Sequence, residues 1–259
     1  VPDVDQWETM RVDARRDVLR VVLDRPERQN SINGALLADL HRVLDHAERS
    51  PDVRVVVIEG TGGVFCSGMD FADASRDSED VAAHGAEEFF GLLHRISTVD
   101  RVVVSVVDGR VAGGGVGIVA ASDFVYASAR SSFGLPEALW GLLPCCVLPF
   151  LIRRVGFQPA YAMTLSTLPV SASQGERMRL VDEVTDDAGP ALRRLVGRLT
   201  KVDGVTVGDA KRYLGRMWLP VEQLRDTAIA EFSRLLSAPV VQQRIADFAN
   251  HQRLPWESR

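Results

Sequence analysis

The sequence predicts an α/β fold with a helical C-terminal region, and three observations carry that reading. Apolar runs of strand length alternate with helical patterning as far as roughly residue 185, and helices dominate beyond it. A junction from strand to glycine to helix recurs at Gly60, Gly113 and Gly134, although no internal repeat of fixed period is visible. The 259 residues, 46% apolar and 25% charged, suit one large globular domain, or one domain with an appendage.

The elements follow in order. "ETMRVDARRDVLRVVLDRP" reads as two strands joined by a tight turn near Arg15–Asp17. "ERQNSINGA" is a loop, and "GALLADLHRVLDHAERS" is a helix. Leu36, Leu37, Leu40, Val43, Leu44 and Ala47 recur there at helical spacing, and Asn33 is a candidate cap. "VRVVVIEG" is a buried strand, "TGGVFCSGMDF" a loop or strand end, and "SEDVAAHGAEEFFGLLHRIST" a second helix. "RVVVSVVDG" is a further strand leading into three consecutive glycines. "GGVGIVAAS" is a short buried helix, "DFVYAS" a strand, and "SSFGLPEALWGLLP" another strand–helix turn.

Composition excludes several classes. A net charge of −5 argues against a nucleic-acid partner, which usually meets a basic surface. Cys66, Cys145 and Cys146, odd in number with two adjacent, do not form a disulfide framework. No secretory apolar segment stands near the start, and no apolar run reaches membrane-spanning length. These features are read as a cytoplasmic protein without membrane attachment. His41, His46, His84, His94 and His251 show no metal-ligand spacing, so no metal is expected. Lys201 and Lys211 are the only lysines, which limits the addresses of any catalytic lysine.

Bare backbone at Gly113–Gly115 is entropically costly and needs a reason. Gly115-x-Gly117-x-x-Ala120 matches a dinucleotide fingerprint. The following strand, however, ends in small residues and Arg130 where that fold places an acid. A helix N-terminus presenting free N–H groups to an anionic oxygen is a second reading, with "FCSGMDF" supplying a partner amide. Close helix–strand packing is a third, and the residues alone leave the last two level.

"GVFCSGMDF", "VDGRVAGGGVGIVAASDFVYASARSSFGLPEALWGLLP" and "RRVGFQPAYAMTLSTLPVSASQGERMRLVDEV" resemble the crotonase (enoyl-CoA hydratase/isomerase) superfamily, collinearly over nearly the whole chain. The resemblance implies a spiral of ββα turns over 1–198 and a helical, trimer-building region over 199–259, the trimers often pairing into hexamers. It implies an acyl thioester substrate on CoA or on the phosphopantetheine arm of an acyl carrier protein, with no further cofactor. The thioester oxygen would lie between the N–H groups of Met69 and Gly114, with Cys66, Gly68, Asp70 and Gly113 around it.

Hydratases of the superfamily carry two glutamates. One matches Glu137, and the other falls on Gly117, where no acid exists. From the residues alone, Glu137 reads as a solvated acid at a helix start. With the resemblance it becomes the acid/base: a lone carboxylate takes an α-proton and returns it to a leaving hydroxide on the same face. A finer likeness, in "FCSGMDF", "AASDFVYA" and "ALWGLLPCCVLPFLIRRVGFQPAYAMTLSTLPVS", is to the first dehydratase of polyketide β-branching cassettes. That likeness implies dehydration of a 3-hydroxy-3-methylglutaryl-type thioester. Decarboxylation, double-bond isomerisation and a non-catalytic thioester-binding subunit are the alternatives. Leu142 falls in the apolar stretch that would line the pocket.

The other candidates divide between site and scaffold. Arg76 or His84 could meet a substrate carboxylate, although a loop charge and a helix-surface histidine are the plainer readings. Asp70 could equally stabilise its turn, and Cys66 could be a small buried hydrophobe. Cys145 and Cys146 read as packing beside the pocket, and Asp123 as a structural hydrogen-bond former at a strand start. Arg28 and Lys211 match segments that relatives use against the phosphate side of the thioester arm, though either could be a solvated charge.

Overall fold

The computed structural model describes residues 7–70, 79–217 and 221–256. β1 (Met10–Arg15) and β2 (Val18–Leu23) form an antiparallel hairpin, turning at Arg16 with φ 50°. In α1 (Gly34–Arg49), Leu36, Leu37, Leu40, Val43, Leu44 and Ala47 are all buried, and Asn33 Oδ1 accepts the Leu36 N–H at 3.0 Å. That cap satisfies one of the amides a helix start leaves open.

Three ββα turns follow. The first is β3 (Val55–Gly60), β4 (Val64–Cys66) and α2 (Glu79–Thr98). The second is β5 (Val102–Val107), β6 (Arg110–Ala112) and α3 (Gly114–Ala121). The third is β7 (Phe124–Ala127), β8 (Ser132–Gly134) and α4 (Glu137–Trp140). Each turn gives one strand to each of two sheets. The larger sheet has six strands in the order β1-β2-β3-β5-β7-β10, and the smaller has four in the order β4-β6-β8-β9. Gly113 and Gly134 stand where a strand leads to a helix, as the sequence suggests, whereas Gly60 ends β3 and leads into β4 rather than into a helix. No period is visible because α2 has 20 residues, α3 has 8 and α4 has 4.

β3 shows why the sequence reads as a buried run rather than an alternation. Val56 and Ile58 face the main core, whereas Val55 and Val57 face a second apolar layer with Ala191. Strands covered on both faces lose the polar half of the period-two pattern. The second layer is roofed by α8 (Gly189–Leu199).

Between these lie α5 (Leu148–Val155), α6 (Phe157–Ser166), β9 (Val170–Ser171), α7 (Ala172–Arg177) and β10 (Glu183–Val184). The chain ends with α9 (Gly204–Arg216), α10 (Arg225–Leu236) and α11 (Pro239–His251). The two-residue strands β9 and β10 are the last in the alternating part of the chain, and each completes an edge of one sheet. No helix among the described residues is long and apolar enough to cross a membrane.

Candidate active site

Two loops meet at the start of α3. After β4, the Ile32 N–H donates to Gly68 O at 2.8 Å and the Asp70 N–H to Ile32 O at 2.9 Å, in a parallel bridge between Ile32 and Met69. Successive amides of an extended strand point in opposite directions, so the Met69 N–H is turned away from Ile32. The second loop follows β6. The Gly113 N–H donates to Gly134 O at 3.0 Å and the Val116 N–H to Gly113 O at 2.9 Å. Among the described residues, no carbonyl takes up the N–H of Met69 or of Gly114.

The glycines on both loops are required by this contact. Gly68 has φ +95°, and a methyl on it would stand 3.1 Å from Ala112 O and 3.4 Å from the Gly114 nitrogen. Gly113 has φ +53°, and a methyl there would stand 3.3 Å from Glu137 Oε1. Side chains at either position would therefore be strained and would crowd the amides or the acid. Gly115 serves packing instead, with its Cα pressed against Cys66. Gly114 does both, lying beside Ile32 and Phe89 with its amide unspent.

Glu137 opens α4, across the pocket from these amides. Its Oε2 is shielded from solvent and has no hydrogen-bond partner among the described residues. Burial pushes its carboxyl up to about 7. Desolvation disfavours the ionised form, and no cation nearby offsets it. A carboxyl desolvated in this way is one that can hold and release a proton near neutral pH.

The pocket encloses about 240 Å3. Gly68, Met69, Asp70, His84, Gly113, Gly114, Glu137 and Leu142 all line it, so the fold brings most of the sequence-derived candidates to one place. Cys145 and Cys146 also line it, and burial pushes their thiols up to about 11 and about 12. Asp70 is committed to the loop as well: Ser31 Oγ donates to its Oδ2 at 2.8 Å and Arg25 lies 3.5 Å away. His84 sits at the rim, 67% exposed and paired with Glu88 at 3.4 Å.

Three candidates stand elsewhere. Cys66 does not line the pocket; it is wholly buried behind Gly115, and burial pushes its thiol up to about 12. Lys211 is not free for a phosphate. Its ammonium pairs with Asp123 Oδ2 at 2.6 Å and donates to Arg101 O at 2.7 Å and Ile96 O at 3.4 Å. Asp123 also accepts the Val103 N–H at 2.7 Å, which fits the structural role expected of it. Arg28 is exposed at the end of a single 3-10 turn and is not part of the pocket lining. Arg76 lies outside the described residues.

The sequence reading missed Phe89 and Val147 at the floor, Trp140 beside the acid, and Phe232 and Leu236 on α10. The last two come from the C-terminal region, and nothing local in the sequence marks their distant contact. Gly117 is explained by the same floor. A methyl on it would lie 3.0 Å from Leu93 Cδ1, 3.1 Å from Val147 Cγ2 and 3.3 Å from Phe89 Cζ. Apolar side chains occupy the ground where a second acid would have to stand.

A two-sheet ββα spiral with free amides and a buried carboxyl at one helix start defines a crotonase-type fold. The chain belongs to the enoyl-CoA hydratase/isomerase family, whose model matches residues 13–198. It is similar to the bacillaene synthase dehydratase PksH of Bacillus subtilis, 33% identical over 99% of this chain and 100% of that protein. It is also similar to the mevalonyl-coenzyme A hydratase sidH of Aspergillus fumigatus, 36% identical over 65% of this chain and 63% of that one. The crystal structure of pksH from Bacillus subtilis superposes with a TM-score of 0.89 at 32% identity, covering 96% of this chain and 100% of that one. An enoyl-CoA hydratase from Mycobacterium avium superposes with a TM-score of 0.83 at 27% identity, covering 95% and 98%.

Proposed function

We propose that this protein is a hydro-lyase of polyketide biosynthesis. It dehydrates a 3-hydroxy-3-methylglutaryl-type acyl thioester carried on an acyl carrier protein or CoA, with no further cofactor. Full-length similarity to a named polyketide dehydratase supports the class. The observation that carries the chemistry is the Glu137 carboxyl, whose buried Oε2 has no partner among the described residues, opposite the Met69 and Gly114 amides that no carbonyl takes up there.

In this reading the two N–H groups receive the thioester oxygen and stabilise the enolate that forms on it. Donors of this kind are each worth a few kcal/mol of barrier, on the order of 3. Glu137, as the carboxylate, removes the α-proton. Now neutral, it gives the same proton to the departing hydroxyl, so that water leaves from one face and the enoyl thioester forms. Balance is complete with one carboxyl, and the apolar packing at Gly117 supports a mechanism without a second.

The division into a spiral over 1–198 and a helical region over 199–259 belongs to the same reading, as does assembly into trimers or hexamers. Phe157, Tyr161 and Leu165 lie exposed at helical spacing along α6, with Leu168 just beyond, and contiguous apolar exposure of this kind marks interfaces. Arg28 remains the candidate for the phosphate side of the arm.

Mass spectrometry of a loaded carrier protein tests the function: the acyl group should lose one water. Glu137→Gln should abolish that loss while leaving the oligomer unchanged. Loss of carbon dioxide would instead select a decarboxylase, and an active Glu137→Gln variant would overturn the role of this residue.

A further inference from the structure

The acid stands on an element too short to hold itself. α4 runs only from Glu137 to Trp140, and one isolated turn has no stability of its own. Its support is the end of the chain. The Trp140 ring meets Phe248 of α11 edge to face, with centroids 5.2 Å apart and planes at 83°, and meets Trp256 at 6.4 Å and 80°. Such aromatic pairs have a preferred geometry and so fix orientation as well as distance.

The next residues are held from the same side. Gly141 ends the turn with φ +84°, and a methyl on it would lie 2.8 Å from an Arg244 guanidinium nitrogen and 3.2 Å from Val241. α11 is therefore seated directly on the turn. The Leu142 N–H then donates back to Glu137 O at 3.0 Å, closing the loop behind the acid. Trp140, Leu142, Leu236, Val241 and Ile245 form one apolar cluster, separate from the main core.

We propose that Trp140 and Phe248 are positioning residues for Glu137, through which α11 clamps the one-turn helix and keeps its carboxyl in a dry seat. The proposal rests on the reading of Glu137 as the acid/base. Phe248 does not line the pocket, so it acts through Trp140 and the apolar cluster around it. The other titratable or charged groups on these elements are the Cys145 and Cys146 thiols, Arg244, Asp247 and His251 of α11, and Arg225, Asp226, Glu231 and Arg234 of α10. Asp70 and the His84–Glu88 pair stand across the pocket. None of these makes a hydrogen bond to Glu137 Oε2. Packing, rather than a charge partner, is what is left to set its environment.

The test replaces Phe248 and reads the acid directly. Titration of Glu137 can be followed by the carboxyl stretch in difference infrared spectra, assigned by its absence in Glu137→Gln. Phe248→Ala should lower kcat by about tenfold to a hundredfold with KM changed far less. It should also move the Glu137 midpoint, and with it the acid limb of the kcat profile, downward by about one pH unit or more as water enters. Phe248→Tyr should restore both, and Val240→Ala, exposed on the same helix, should change neither. If Phe248→Ala does not fold, Phe248→Leu is read in the same way. An unmoved midpoint with unchanged kcat in a folded variant overturns the clamp. A moved midpoint together with an active Glu137→Gln upholds the clamp and overturns the catalytic reading instead.

Discussion

The two ends of α3 are treated in opposite ways. At the C-terminal end, side chains from other elements meet the helix's polar groups. Arg153 donates to Ala121 O at 3.3 Å and Arg154 to Ser122 O at 2.8 Å. Ser122 Oγ donates to Ile118 O at 2.9 Å, and Asp123 takes both the Val103 N–H and the Lys211 ammonium. Cations at this end also complement the helix dipole. At the N-terminal end, among the described residues, no carbonyl takes up the Gly114 amide and the acid facing it has an oxygen with no partner. Polar groups withheld from the fold's own bonding are those available to a ligand, and the saturated end anchors the helix that presents them.

Substitutions at the two ends should therefore fail in different ways. The largest effect is expected from Glu137→Gln, which should cost about 10³-fold or more in kcat for water loss, measured on a loaded carrier. Gly113→Ala comes next. It strains a positive φ by about 1–3 kcal/mol and pushes a methyl toward Glu137 Oε1. The expected loss is about 10²-fold in kcat, with a folded protein by circular dichroism.

At the other end, Lys211→Met should leave Asp123 buried without its cation and cost about 3 kcal/mol. That corresponds to a Tm lower by roughly 6–12 °C, with KM for the thioester unchanged. A raised KM with an unchanged Tm would return Lys211 to the phosphate role suggested by its position in the sequence.

The last expected effect is a gain, full only above neutral pH. Folded Glu137 titrates at about 7 against 4.5 for the ordinary group. Its contribution to stability is full below about pH 4.5 and is lost as pH rises through about 7, because the folded state keeps the proton longer. Glu137→Gln should accordingly be more stable than its parent at pH 8, by up to about 3 kcal/mol, with the gap closing at acid pH. Thermal melts at pH 5 and pH 8 measure it, and equal Tm differences at both would show that the carboxyl is not dry.

The spiral and much of the pocket were legible in the sequence because their signals are local. Glycine runs, strand-length apolar runs and the Asn33 cap each depend on residues within a turn or two. β6, β8, β9 and β10 were less legible, since two or three residues carry no period. Lys211 and Cys66 were assigned to the site by position along the chain. Their environments are set by partners far away: Asp123 and two backbone carbonyls for the first, and Gly115 for the second. Phe232, Leu236 and Phe248 were missed for the same reason.

The sequence by itself determined where bare backbone would stand, and glycine is the residue that tolerates the positive φ and the close approach found at Gly68 and Gly113. It also determined that Glu137 would stand at a helix start and that position 117 would carry no acid. Only the tertiary structure decided that one oxygen of this acid would be buried, that apolar side chains would fill the ground at Gly117, and that Lys211 would be bound to the scaffold. Desolvation and packing depend on which distant segments arrive, and no spacing along a chain encodes that arrival.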